Sequence, residues 1–164
     1  MRGYRIGQGI DAHRLVPGRP LILGGVAIPH ERGLEGHSDG DVLLHAIADA
    51  LLGALGEGDL GRHFPSSDPS LRGIASTEIL ARVMAISRQR GLRVVNLDAT
   101  LVAQAPRLAP HQSEMEAVVA EALEIPGEAV NLKVTSTDRM GAIGREEGMA
   151  AMAVVLLGPA AEES

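Results

Sequence analysis

Apolar and polar positions change rhythm several times along these 164 residues. Residues 2–12 alternate as a strand does, and LILGGVAIP (21–29) sets two short apolar runs about Gly-Gly, the pattern of a hairpin. VLLHAIADALLGAL then repeats its apolar positions every three to four residues. That spacing predicts a helix over about 38–56, with Ser38 and Asp41 at capping-box separation at its start. A second helix follows Ser76 as N-cap and runs to Gly91, and a third extends from near Pro110 to near Pro126. Residues 93–104, 129–137 and 148–157 return to strand character. Helices and strands mixed in this order, with a hairpin early, predict an α+β fold: one mainly antiparallel sheet with helices on one face. The length suits a single domain over 1–164, with 158–164 as a frayed tail. Runs such as AVVLL and TLVA are apolar at successive positions, so both faces of the sheet should be covered, one by helices and one by other subunits.

Composition removes whole classes of function. The chain has no cysteine, which excludes disulfides, thiolate metal sites and a cysteine nucleophile. A net charge of -6 argues against nucleic acid as a partner, and Tyr4 and Phe64 are the only aromatics, too few for base stacking. No apolar run is long enough to cross a bilayer and the N-terminus has no signal pattern, so a cytoplasmic protein without a membrane partner is expected.

Candidate chemistry concentrates in HSDGDVLLH (37–45). At about 100° per residue, His45 falls in one sector with Asp41, Ala48 and Leu52, at the edge of the apolar face and one turn into the helix. A histidine so placed can be an ordinary hydrogen-bonded core residue or a metal ligand. The first strand contains GIDAHRL, where Asp11 and His13, two apart, project to the same side near its end. Together with His45 they would make a three-ligand nitrogen and oxygen set of the kind that holds catalytic zinc with a position open. The helix start itself is a potential anion site. GEGDLG (56–61) has dinucleotide-loop glycines but follows a helix and precedes none. It reads as a helix stop and a loop whose Asp59, Ser66, Ser67 and Asp68 could meet a polar ligand.

GIDAHR, the hairpin, GLEGHSDGDVLLHAIADALLGALGEGDLGRHFPSSDP, AQAPRLAPH and VTSTDRMGAIGREEG occur in the order seen in the 2-C-methyl-D-erythritol 2,4-cyclodiphosphate synthase family, which the chain resembles over nearly its whole length. The resemblance implies a phosphorus–oxygen lyase of the non-mevalonate isoprenoid pathway. Its substrate would be 4-diphosphocytidyl-2-C-methyl-D-erythritol 2-phosphate and its products the cyclic diphosphate and CMP. It further implies a homotrimer packed about a threefold axis, with active sites between subunits. By the same resemblance Asp11, His13 and His45 hold a divalent metal, usually Zn²⁺, with Ala12 between two of them in the substrate site. His37 stabilises the transition state and, with Ser38, contacts phosphate. Asp59, Leu60 and Gly61, with Phe64, Pro65, Ser66, Ser67 and Asp68, bind the methylerythritol. Ala103, Gln104, Ala105, Pro106, Arg107, Leu108 and Ala109 bind cytidine, and Thr135, Ser136, Thr137 and Asp138 bind the diphosphate.

Three positions depart from the family pattern. Ser136 stands where a catalytic threonine is usual and keeps the hydroxyl. Asp138 replaces a glutamate that supports a second cation, Mg²⁺ or Mn²⁺, on the diphosphate. Ala142 replaces a phenylalanine of the trimer's central cavity, near whose mouth Arg145 is retained. A zinc-dependent phosphoester hydrolase is the competing function, since it would use the same three ligands and differ in what attacks.

Overall fold

A computed structural model describes residues 3–160 of the chain. Strand β1 (Arg5–Pro17) is followed by β2 (Leu21–Leu23), β3 (Val26–Ile28) and β4 (Arg32–Leu34), then helices α1 (Val42–Leu55), α2 (Leu60–His63) and α3 (Ser76–Gln89). Strand β5 (Leu92–Val102), helix α4 (Gln112–Leu123), β6 (Val130–Thr135), a single turn α5 (Gly141–Gly144) and β7 (Gly148–Pro159) complete it. Five strands form one sheet in the order β4-β1-β7-β5-β6, and β2 and β3 pair separately as a hairpin. Gly24 and Gly25 turn that hairpin with φ of 57° and 74°, the left-handed geometry that a two-residue turn demands and that glycine adopts without strain.

The sheet is mixed. The β1–β4, β1–β7 and β5–β7 pairs are antiparallel, but β5 and β6 run parallel. A parallel pair needs a crossover, and α4 supplies it. Buried residues alternate along the strands and face the helices, from Leu97, Ala99 and Leu101 on β5 to Ala151, Ala153 and Val155 on β7.

Helix α1 lies against β1 at unusually close range. A Cβ built at Gly7 would fall 1.8 Å from the Ala50 carbonyl oxygen, and one at Gly9 only 1.9 Å from that of Ala46. Two glycines on the strand and alanines on the helix therefore allow backbone to touch backbone. Larger side chains at either place would hold the two elements apart.

Several boundaries differ from the sequence reading, each for a local reason. Strand β1 continues past residue 12 because it changes partner: Arg5 to Arg14 pair with β7, and Leu15 to Pro17 with β4. Asp11 and His13 thus sit inside the strand and not at its end. The first long helix begins at Val42, not near 38. Asp41 is its N-cap, accepting the Leu44 N–H, and also receives the N–H groups of Gly24 and Gly25 at 3.0 and 2.7 Å. This fully buried carboxylate ties the hairpin to the helix and occupies the helix end that looked open to anions. Burial pushes its pKa up to about 6 against those three donors. Ala75 precedes α3 in the cap position, so Ser76 is the first helical residue and its side chain is free for another role. In the expected tail, Gly158 and Pro159 continue β7 opposite Arg93 and Leu92, while residues 161–164 lie outside the described residues. Among the described residues no helix is long and apolar enough to cross a membrane.

Candidate active site and metal centre

The close seat of α1 on β1 brings three side chains together. Asp11 Oδ2 lies 2.7 Å from His13 Nε2 and 3.0 Å from His45 Nδ1, and the two ring nitrogens are 3.1 Å apart. One donor atom from each residue falls within 4.8 Å of the others. The far nitrogen of each ring has its own partner. His13 Nδ1 faces the Glu35 carbonyl, a contact that assigns the proton to Nδ1 and leaves the Nε2 lone pair pointing into the cluster. His45 Nε2 lies between the hydroxyls of Ser38 and Ser76. Burial raises the Asp11 carboxyl, but the hydrogen bonds and charges of His13 and His45 outweigh it and hold the group at about 2. His13 moves upward, its burial outweighed by Asp11. A carboxylate and two imidazoles with their outer nitrogens occupied suit a divalent ion of the zinc class, with room left for a further ligand.

The cluster opens into a cavity of about 430 Å³, lined also by His37, Ser38, Asp49, the Asp59–Gly61 turn and Phe64, with an apolar wall of Leu71, Ile74 and Ile79. Asp59 caps α2 by accepting the Arg62 N–H, and the Leu60 N–H donates to Asp49 at 2.8 Å. Burial raises the Asp49 carboxyl, and that N–H donor opposes the shift. His37 Nε2–H donates to the Asp68 carbonyl at 3.0 Å and so links the helix approach to the FPSSDP loop. Ser66 and Ser67 face a neighbouring hollow with Arg19 and Arg72, and His37 and Ser38 border both spaces.

The model of the YgbB family matches residues 4–158. The chain belongs to the YgbB family. Among its relatives, the 2-C-methyl-D-erythritol 2,4-cyclodiphosphate synthase of Geobacillus kaustophilus is 60% identical over 154 residues, covering 94% of this chain and 98% of its own. A solved structure of a protein with the same name in a CDP-bound form is 38% identical with a TM-score of 0.86, covering 93% of this chain and 99% of that one. The bifunctional IspDF from Campylobacter jejuni superposes with a TM-score of 0.92 at 38% identity; 97% of this chain matches 43% of that longer one.

Within this YgbB-family fold the remaining sequence-predicted residues fall elsewhere. Ala103, Gln104, Pro106, Arg107, Leu108 and Ala109 line a separate hollow of about 340 Å³ together with Thr135 and Ser136. Ala105 precedes Pro106 through a cis peptide bond. Gln104 Oε1 accepts the Arg139 N–H at 2.9 Å, which joins the two loops. Ser136 and Asp138 are exposed, the latter with φ of 51° and its N–H donated to Ser136 Oγ. Thr137 Oγ1 donates to the Met140 carbonyl and so closes the turn. Ala142 and Ala12 share a shallow depression with His13 and Glu147, and Arg145 Nε donates to Glu147 at 2.6 Å. A single chain thus unites the Asp11, His13, His45, His37, Ser38 and Asp59–Gly61 set and leaves the 103–109 and 135–138 set apart.

Sequence reading passed over Asp49, Ser76, Asp39 and Arg19. Asp49 was accessible to it, since it follows His45 by one helical turn on the same face. Ser76 has the sequence context of a cap, and Arg19 has no local pattern; its guanidinium donates to the Gly36 and Ser38 carbonyls and pins the loop holding His37.

Proposed function

We propose that the chain converts 4-diphosphocytidyl-2-C-methyl-D-erythritol 2-phosphate to 2-C-methyl-D-erythritol 2,4-cyclodiphosphate and CMP, as a cyclising phosphorus–oxygen lyase. The observation behind this reading is the single cavity that combines the three-ligand cluster with His37, Ser38 and the Asp59–Gly61 turn. An oxygen of the 2-phosphate attacks the β-phosphorus of the same molecule. A new P–O bond forms as the bond from that phosphorus to the bridging oxygen breaks, and the electron pair leaves with CMP. No water or oxidant is consumed.

The difficulty of the reaction is bringing one polyanion's charges together, because a phosphate monoester with a second pKa near 6 is already a competent nucleophile at neutral pH. Positioning and charge stabilisation suffice, and no strong base is needed. Asp11, His13 and His45 would hold a divalent ion, zinc by their donor types, which when bound supplies positive charge to phosphoryl oxygens. Ser38 offers a hydroxyl donor at the same cavity, and His37 lines it with its ring fixed by the Asp68 carbonyl. Asp59 and the Gly61 backbone present polar groups suited to the methylerythritol hydroxyls. Phe64 and the Leu71, Ile74 and Ile79 wall restrict water there.

The cytidylyl end calls for a second region. The likeness to a CDP-bound relative supports binding of a cytidine nucleotide; we assign its seat to the hollow that the 103–109 loop forms with Thr135 and Ser136, with Asp138 supporting Mg²⁺ or Mn²⁺ on the diphosphate. These loops form a hollow separate from the metal cavity on one chain, which supports an active site shared between subunits. So does the sheet face away from the helices. It exposes Ile6 and Ile10 of β1 at 73% and 64%, beside Met152 and Val154 of β7, an apolar stripe suited to burial about a threefold axis.

The test is direct. Phosphorus NMR of the protein with substrate, zinc and Mg²⁺ should show CMP and a cyclic diphosphate appearing together. A linear hydrolysed product would instead establish the hydrolase.

A further inference from the structure

The structure assigns Asp39 and Ser76 as positioning residues that set the metal-binding tautomer of His45. This inference rests on the reading of a metal at Asp11, His13 and His45. Ser76 is almost wholly enclosed, at 1% exposure, at the first position of α3. Its hydroxyl has one proton, and that proton is donated to the Asp39 carboxylate, which can only accept. Asp39 is fixed in turn by the N–H groups of Ser76 and Asp41, at 2.9 and 3.1 Å. Toward His45 Nε2, 2.9 Å away, Ser76 Oγ is therefore left as an acceptor. The hydrogen must sit on His45 Nε2, and Nδ1 then presents its lone pair toward Asp11 and His13. The carbonyl of Glu35 does the same for His13, so both rings are oriented from outside the cluster.

A consequence follows for Ser38. Its Oγ is 3.0 Å from the same His45 nitrogen and accepts the Gly40 N–H at 3.2 Å. Because His45 Nε2 is a donor, it does not use the Ser38 proton. Ser38 can give that proton to an anionic oxygen in the cavity.

The test uses full-length protein and zinc ion in competition with a chromophoric chelator, with circular dichroism melts of the metal-free forms alongside. Ser76→Ala should weaken zinc about 10–100-fold, the usual cost of removing an outer-shell partner. Asp39→Ala should weaken it at least as much, because it removes the acceptor that fixes the Ser76 hydroxyl proton and leaves that proton free to turn toward His45 Nε2 and favour the wrong tautomer. In zinc-loaded wild type the His45 Nε2–H should give a slowly exchanging proton resonance, and Ser76→Ala should broaden it into solvent exchange. That measurement separates orientation from general stability, which melts alone report. Zinc affinity within twofold of wild type in Ser76→Ala would overturn the assignment. So would an unchanged His45 Nε2–H resonance in that variant, or its absence from zinc-loaded wild type. Failure of wild type to bind zinc at all would instead remove the metal reading beneath it.

Discussion

The two ends of the candidate site are built on opposite principles. At the proposed metal end, Asp11 and His13 stand on a strand and His45 on a helix packed so closely that glycine alone fits between them. The outer nitrogen of each ring has a partner before any ligand arrives. At the 103–109 and 135–139 rim the functional groups are on loops. Ser136 and Asp138 are exposed, Asp138 and Arg139 take left-handed backbone, and two hydrogen bonds, Ala103 N–H to the Thr135 carbonyl and Arg139 N–H to Gln104, join the two loops. The first end is complete within one chain and the second is an open hollow. A metal cluster needs fixed geometry, so it belongs on rigid elements. An open hollow leaves room for completion by a ligand and a neighbour, as the proposed function requires.

The largest effect separating the two should come from His45→Ala. Loss of a direct ligand should lower activity by more than the roughly 100-fold that an outer partner's loss costs, and zinc should leave with it, while circular dichroism stays unchanged. Full activity of the metal-depleted variant would refute the cluster's role.

Next comes Gly9→Ala. Its new Cβ would meet the Ala46 backbone, so α1 must lift from β1, at a cost of about 1–3 kcal/mol or more. A lower melting temperature and weaker zinc binding should appear together. Gly127→Ala, with open space at the same atom, should change neither.

At the rim, Asp138→Asn should raise the Mg²⁺ or Mn²⁺ needed for half-maximal rate on the order of tenfold and leave zinc stoichiometry alone, since one carboxylate charge is a large part of a weak hard-cation site. Asp138→Glu should restore the tight dependence. An unchanged Mg²⁺ titration for Asp138→Asn would show that the residue only shapes the turn with Ser136.

The smallest effect concerns pH and the metal-free protein. Asp11 is held at about 2 in the fold against 3.8 unfolded, so the folded state binds fewer protons between those values. Its contribution, at most about 2 kcal/mol, is present above pH 4 and lost as pH falls toward 2. His13 is raised, so its contribution is present below its unfolded value of 6.5 and lost as pH rises through the folded one. Melts of Asp11→Asn should lack both dependences. Zinc requires the deprotonated ligands, so its affinity should grow with pH through the His13 transition.

The metal end was legible in sequence because its signals are local. Asp-x-His has the period of a strand and His45 the sector of a helix, and each periodicity survives folding. What brings them into contact is Gly7 and Gly9, whose meaning appears only when the helix is in place. The hairpin and the α1 stop at Gly56 were also written in turn residues. The parallel β5–β6 pair was not, since pairing direction depends on where α4 carries the chain. Ser76 has the same propensity whether it caps a helix or approaches a histidine, and only Asp39, 37 positions away, decides. The rim residues were located by family resemblance alone, for no periodic pattern marks a loop.

Complementation between variants tests the division of labour most directly. His45→Ala disables the metal end and the Ser136→Ala, Asp138→Ala pair disables the rim, and each protein alone should be inactive by phosphorus NMR. When the two are co-refolded in equal amounts, sites that join the intact metal end of one chain to the intact rim of another should recover about a quarter of the wild-type rate, by random assembly of a cyclic trimer. Co-assembled protein of confirmed mixed composition that stays at the background of the separate variants would contradict the account, because it would place both ends of the working site on a single chain.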